Sequence, residues 1–303
     1  MLPGSLSGSS SNPRRPGPLR PDPGESDFPS RRFAAVLPVD TLTYRPPRWW
    51  QEVAVVAAGY WLYGLARNAI DGGAGVARDH GHAVQRLQER LHLDPEPPLN
   101  RWVAAHEPLA QAMNYYYATL HFAVTIGTMV WLFRAHPRLY RGARTVLLTT
   151  TLIALLGFYL YPLAPPRLLP GYGYVDTLVR FHTWGSLADP RVAERSNQYA
   201  AMPSLHVAWA SWVGICVFMC ARRSVVRWAG LAYPALTVFV VLGTANHFLF
   251  DAVGASVALG LGFTVQYALS GHAAFRPAPL AVRENPASAL VAPPARQASA
   301  CGS

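Results

Sequence analysis

Long apolar runs recur along this sequence, each of a length that a soluble core does not require. A hydrophobic stretch of roughly 18 or more residues reads as a membrane-spanning helix. Backbone groups cannot go unpaired in hydrocarbon, so each run must be helical or belong to a closed barrel, and runs this long favour helices. Six spans are expected, at about Trp49–Ala66, Leu109–Phe133, Thr145–Leu163, Pro203–Ala221, Trp228–Ala245 and Asn246–Leu269. The first is the weakest, because Gln51 and Glu52 shorten its apolar part. Only 14% of residues are charged, against about 25% in a soluble domain. The expected fold is therefore all-α: a polytopic membrane helix bundle of about six transmembrane helices plus one interfacial amphipathic helix. That last helix is Val76–Leu93, with Val76, Val84, Leu87 and Leu91 near one face and Arg78, Gln85, Arg86 and Arg90 elsewhere.

The tails differ in kind. Residues 1–48 are rich in Pro, Ser, Gly and Arg and are expected to be disordered, as is the Ala- and Pro-rich stretch 272–303, leaving 49–271 as one membrane-embedded domain. The net charge is +10 and all 26 basic residues are arginine. These arginines sit between apolar runs, as topology signals do, so no nucleic-acid partner is implied. Arg134, Arg138, Arg141 and Arg144 follow the second span, Arg222, Arg223 and Arg227 follow the fourth, and Arg45 and Arg48 precede the first. Six spans put all three groups on one side, and the positive-inside rule makes it the cytoplasm, with both termini there. Cys216 and Cys220 in an apolar run and Cys301 in the tail form no disulfide framework or metal pattern.

At the opposite face the same topology gathers Arg67 and Asn68, Pro165-Pro166-Arg167, Pro203-Ser204-Leu205-His206, and His247 with Asp251. His247 and Asp251 are spaced i, i+4, so one helix presents both to the same side. The carboxylate can fix the imidazole tautomer and leave the other nitrogen as a lone pair for attack on phosphorus or for a metal. The plainer alternative is a polar pair joining helices. Pro203 suits a first helical turn, which would turn the N–H groups of Ser204, Leu205 and His206 towards an anion. Ser204 can donate to a phosphate oxygen or simply cap its helix, and His206 can protonate a leaving alkoxide. His121 is expected either to bond between helices or to touch the site. His80, His82, His92 and His106 are expected to be solvated, and Tyr115, Tyr116 and Tyr117 to belong to an interfacial belt.

The segments YAAMPSLHVAWA and NHFLFDAVGA, with APPRLLPGYGYVDT, resemble the type 2 phosphatidic acid phosphatase superfamily. The likeness is greatest to its inositol phosphotransferase-like branch, which includes fungal inositol phosphorylceramide synthases. It spans about Trp49 to Ser270. The resemblance implies that His247 is the nucleophile of a phosphohistidine intermediate, that Asp251 orients it, and that His206 protonates the leaving group and later activates the acceptor. It implies that Ser204 binds phosphate, and it implies no metal or other cofactor. The sequence departs from the superfamily pattern at Leu160, Leu168, Leu205 and Val241, where the first motif's lysine and proline, the second motif's glycine and the third motif's arginine would stand. Transition-state stabilisation in phosphoryl transfer is largely electrostatic, so other cations must serve: Arg167 first, Arg67 second, then Arg180 and Arg195, for which the alternative is a solvated loop charge.

The function expected is phosphoryl transfer on a lipid or polyprenyl phosphate ester, with water or a polyol such as inositol as acceptor, at the outer face of the plasma membrane. The other classes are a lipid-binding or transport protein and a non-catalytic member of the superfamily. The oligomeric state is not legible.

Overall fold

The computed structural model describes residues 48–68, 74–183 and 198–276, and these form helices joined by turns. The expected tails lie outside the described residues, apart from Arg48 and 272–276. In chain order the helices are α1 (Trp49–Asn68), α2 (Ala74–Arg90), α3 (Glu96–Ala104), α4 (Glu107–Ala135), α5 (Pro137–Leu160), the single turn α6 (Thr177–Arg180), α7 (Leu205–Cys220), α8 (Ser224–Gly243) and α9 (Leu249–Ser270). Four of them, α4, α5, α8 and α9, are long and apolar enough to cross a membrane. The two remaining expected spans each meet one condition only. Helix α1 has 20 residues but carries Gln51 and Glu52, and α7 is apolar but has 16 residues.

Helix α7 is the centre of the bundle and packs against α4, α5, α8 and α9. Sixteen residues make a helix roughly 24 Å long, shorter than the ~30 Å hydrocarbon core. Its first residue therefore stops short of the bilayer surface when its last stands at the other one. The segment 161–169 lies alongside 199–201 at that recessed end, with the Leu163 N–H bonded to the Tyr199 carbonyl at 2.7 Å.

The arginine-rich connections meet at the opposite end. Those between α4 and α5 and between α7 and α8 adjoin around a cavity of about 340 Å³ lined by Trp131, His136, Cys220, Arg222 and Arg223 among others. Glu52 of α1 is 8% exposed and accepts from Arg144 and from the Tyr140 hydroxyl, both on α5. Pairing lets a carboxylate sit there, where it would otherwise be too costly to bury.

Helix α2 has the expected position but a different inner face. Ala77, Gly81, Val84, Gln85 and Gln88 are buried, while Val76, Leu87 and Leu91 point outward. It lies close enough for the Ala77 carbonyl to accept from Ala164 N at 2.9 Å. A methyl at Gly81 would stand 2.9 Å from Leu169 Cδ2 and 3.0 Å from the Ala164 carbonyl. The approach needs glycine.

Candidate active site

The last turn of α8 and the start of α9 are joined by five residues, Thr244 to Phe248, and His247 lies in this turn. It is therefore not on one helix with Asp251, as the spacing suggested. Asp251 occupies the third position of α9 and reaches back, its Oδ2 accepting from the Phe248 N–H at 2.9 Å. An acidic side chain at that position satisfies a free N–H of the first turn. The same oxygen meets His247 Nδ1 at 3.1 Å. The Ala201 carbonyl also lies 3.0 Å from Nδ1. A carbonyl only accepts, so Nδ1 carries the proton and Nε2 keeps its lone pair. His247 is 3% exposed, and its Nε2 is buried without a partner among the described residues. Asp251 Oδ1 is also buried without a hydrogen bond. Two such atoms on one interacting pair call for an explanation, because buried polar groups are nearly always satisfied.

Ser204 caps α7, its Oγ accepting from the Val207 N–H at 3.4 Å. Capping engages a lone pair and leaves the hydroxyl proton available, so the capping and donating readings are compatible. The helix starts at Leu205 rather than Pro203, and the Ser204 N–H donates to the Asp251 carbonyl at 3.1 Å. Of the three N–H groups expected to face an anion, only those of Leu205 and His206 remain. They occupy the first two helical positions, which have no acceptor within a helix. Pro203 is wedged against α5 and α9: a methyl at Gly157 would come within 2.6 Å of its Cδ, so glycine is required there too.

The His206 and His247 rings are 5.7 Å apart between centroids, near enough for one phosphoryl group to reach both. Tyr117 of α4 stacks on His206 at 4.0 Å and 18° and lies 6.3 Å from His247. His121, 2% exposed, stands 4.1 Å from His206. Tyr117 thus belongs to the site rather than to an interfacial belt. A signal for both was present in the sequence. Asn114, Tyr117, His121, Thr125 and Thr128 recur at helical spacing within an apolar span, and all but Tyr117 are buried. A polar stripe in a membrane helix marks an inward face.

Arg167, in the turn Pro166–Leu168, is tied to the loop that precedes His247. Its N–H donates to the Ala245 carbonyl at 3.0 Å, and its Nη1 to Asn246 Oδ1 at 3.0 Å. Its Nε pairs with Asp176 Oδ2 at 3.3 Å, a partner the sequence reading missed. Asp176 is the N-cap of α6, so the same carboxylate orders that turn. A guanidinium has five N–H donors, so these contacts do not exhaust it. The superfamily cations have no counterpart at their own positions: Leu160 is 67% exposed and Val241 is buried in the core. Arg67 ends α1, but its side chain lies outside the described residues, as does Arg195. Arg180 is exposed on α6. His80 is not simply solvated: it stacks on Tyr161 at 4.0 Å and bonds the Pro162 carbonyl at 2.8 Å. Among the described residues no group of His, Cys, Asp and Glu converges as a metal ion requires.

Residues 82–265, more than half of the chain, match the PAP2 superfamily. The chain belongs to the PAP2 superfamily. Four of its helices are long and apolar enough to cross a membrane, so it is a multi-helix membrane-type member of that superfamily. It is also 27% identical over 163 residues to a phosphoinositol dihydroceramide synthase of Bacteroides thetaiotaomicron, covering 48% of this chain and 51% of that one. The chain thus spans about half the length of the curated relative it matches. No solved structure matches it.

Proposed function

We propose that this PAP2 protein transfers a phospho-headgroup from a lipid or polyprenyl ester to an alcohol through a phosphohistidine on His247. The observation that carries the reading is the His247 imidazole, with Nδ1–H directed at Ala201 and Asp251 and a buried Nε2 that has no partner. Nε2 attacks phosphorus, the P–O bond to the leaving group breaks, and His206 gives its proton to the departing oxygen. His206 then takes the proton of the incoming hydroxyl as that oxygen displaces Nε2 and the P–N bond breaks. Ser204 Oγ–H and the N–H groups of Leu205 and His206 bind the phosphoryl oxygens, joined by Arg167 and, from the end of α1, Arg67.

The relative's name makes phosphoinositol the first headgroup to test, and inositol or a ceramide-like alcohol the first acceptor. The arginine-rich connections at the far end favour a site open to the outer leaflet of the plasma membrane and cytoplasmic termini. The test uses full-length protein in nanodiscs, without added metal, with a panel of phospholipids and polyprenyl phosphates, with and without inositol. We expect headgroup release in wild type, a loss of about 10⁴-fold or more in His247→Ala, and an acid-labile phosphoprotein during turnover. Product that depends on an added alcohol identifies a transferase, and release to water in its absence, as free phosphate from a monoester or phospho-headgroup from a diester, a phosphatase-type hydrolase. Equal behaviour of wild type and His247→Ala across the panel overturns the reading.

A further inference from the structure

The proposed chemistry uses two imidazoles, yet a third is buried against them. His121 sits in the middle of α4, directly after a five-residue π-helical turn, Tyr116–Leu120. Such turns are rare and favour functional positions. The His121 Nδ1 lies 3.2 Å from the Tyr117 carbonyl, an acceptor only, so this nitrogen carries the proton and the ring is fixed. Trp209 of α7 and Phe122 also lie against the ring, at 5.8 and 3.8 Å between centroids. An ionisable residue this deep in an apolar helix is rarely placed there for packing alone.

What His121 touches is His206. The His206 ring is flanked by Tyr117, stacked at 4.0 Å, and by His121 at 4.1 Å and 48°. In a regular α-helix, residues four apart stack on one face. The wider π turn between Tyr117 and His121 changes their relative direction, and the rings meet the same imidazole from two approaches. His206 stands at the second position of α7, and the two rings nearest to it, Tyr117 and His121, both come from α4.

We propose that His121, presented by the π turn, is a positioning residue for the known family chemistry. With Tyr117 it holds the His206 imidazole so that its N–H faces the departing oxygen. The inference rests on His206 acting as general acid, as read above. The atoms balance as in that reading: the Nε2–P bond forms at His247, the P–O bond breaks, and the proton of His206 goes to the alkoxide oxygen while its electron pair stays on nitrogen. An aryl oxide such as 4-nitrophenolate leaves as a stable anion and needs no such proton.

That difference supplies the test. Wild type, His121→Phe, Tyr117→Leu, His206→Ala and His247→Ala are compared in nanodiscs on two donors with the same headgroup. These are phosphatidylinositol, whose leaving group is an alkoxide, and the 4-nitrophenyl ester of inositol phosphate. Misplacing a catalytic group by about 1 Å costs on the order of 10²-fold, so His121→Phe and Tyr117→Leu should each lose about that on phosphatidylinositol. On the aryl ester the first step, read as the burst of 4-nitrophenolate, needs no proton from His206 and should keep its rate in His121→Phe and Tyr117→Leu. The second step, in which His206 takes the acceptor's proton, should slow in them as it does in His206→Ala. His121→Asn, which keeps a donor for the Tyr117 carbonyl, should recover part of the loss. Equal losses in that first step on the two donors, or no loss on either, overturn the role of His121 while leaving the phosphohistidine reading intact. Wild type inactive on both, or His247→Ala active on both, defeats the reading beneath it and the inference with it.

Discussion

The two helix starts that flank the histidines, those of α7 and α9, lie side by side but are finished differently. At the start of α9 the first three N–H groups, from Phe248 to Phe250, each have a side-chain acceptor. Phe248 N–H bonds Asp251 Oδ2 at 2.9 Å, Leu249 N–H bonds Glu96 Oε1 at 2.5 Å, and Phe250 N–H bonds Gln88 Oε1 at 3.0 Å. Gln88 Nε2 in turn donates to both oxygens of Glu96, at 2.9 and 3.0 Å. At the start of α7 only Ser204 Oγ serves as a cap, for Val207, and the N–H groups of Leu205 and His206 make no hydrogen bond among the described residues. The positive end of a helix dipole attracts an anion. In α9 that anion is already a carboxylate of the protein, whereas the start of α7 has none among the described residues. Under the proposed mechanism the difference divides the work: the start of α9 holds the nucleophile still, and α7 receives the charge of the phosphate.

The strongest challenge to this division is Asp251→Asn, because Asp251 belongs to both helix starts. Its carboxylate serves His247 and Phe248, while its backbone carbonyl takes the Ser204 N–H. The variant keeps the backbone link and damages only the α9 side. Asp-to-Asn exchange beside a catalytic histidine costs about 10⁴-fold where the carboxylate alone sets the tautomer. Here Ala201 also fixes it, so the fall in kcat should be smaller than that, with KM for lipid unchanged. A variant that binds lipid poorly while turning it over normally would place the phosphate at α9 instead. Ser204→Ala comes next and addresses α7. Loss of the hydroxyl donor should lower kcat by about 10²-fold, and loss of the cap should cost about 1 kcal/mol. Ser204→Gly separates the two, since glycine caps almost as well but donates nothing. It should recover stability and not rate.

Much of this arrangement was legible. Apolar runs mark where helices lie, and the alternation of their ends brings Arg167, Ser204, His206, His247 and Asp251 to one level. The details that make the site specific come from elsewhere. Nothing in NYYYATLH distinguishes a π turn from an α turn, because the two differ by one hydrogen-bond step and have no separate sequence signal here. Nothing local in the sequence marks Glu96 and Gln88 for this role, since their partners lie 153 and 162 residues away in the chain. The start of α9 was open to a better reading. An acidic residue at the third helical position is a start signal, and Asp251 would have set the boundary after Phe248 and left His247 in the turn.

The smallest effect, and the sharpest probe of the closed helix start, is expected at Glu96. It is fully buried, and Glu96→Ala would leave Leu249 N–H and Gln88 Nε2 without acceptors. An unsatisfied buried donor costs about 1–3 kcal/mol, to be read as lower resistance to unfolding in nanodiscs, with kcat little changed. Glu96→Gln keeps an acceptor for Leu249 and should be milder. The pH dependence separates charge from shape. Burial raises the Glu96 carboxyl above its ordinary value, against the opposing pull of its hydrogen bonds to Gln88 and Leu249. Between the ordinary and the raised value the folded protein holds a proton that the unfolded chain has released, so stability falls as pH rises through that window. Glu96→Gln has no proton to lose there and should not show that fall. If it is instead as unstable as Glu96→Ala at neutral pH, the carboxylate charge itself holds the start of α9. The contrast with α7 would then be electrostatic rather than a matter of satisfied N–H groups.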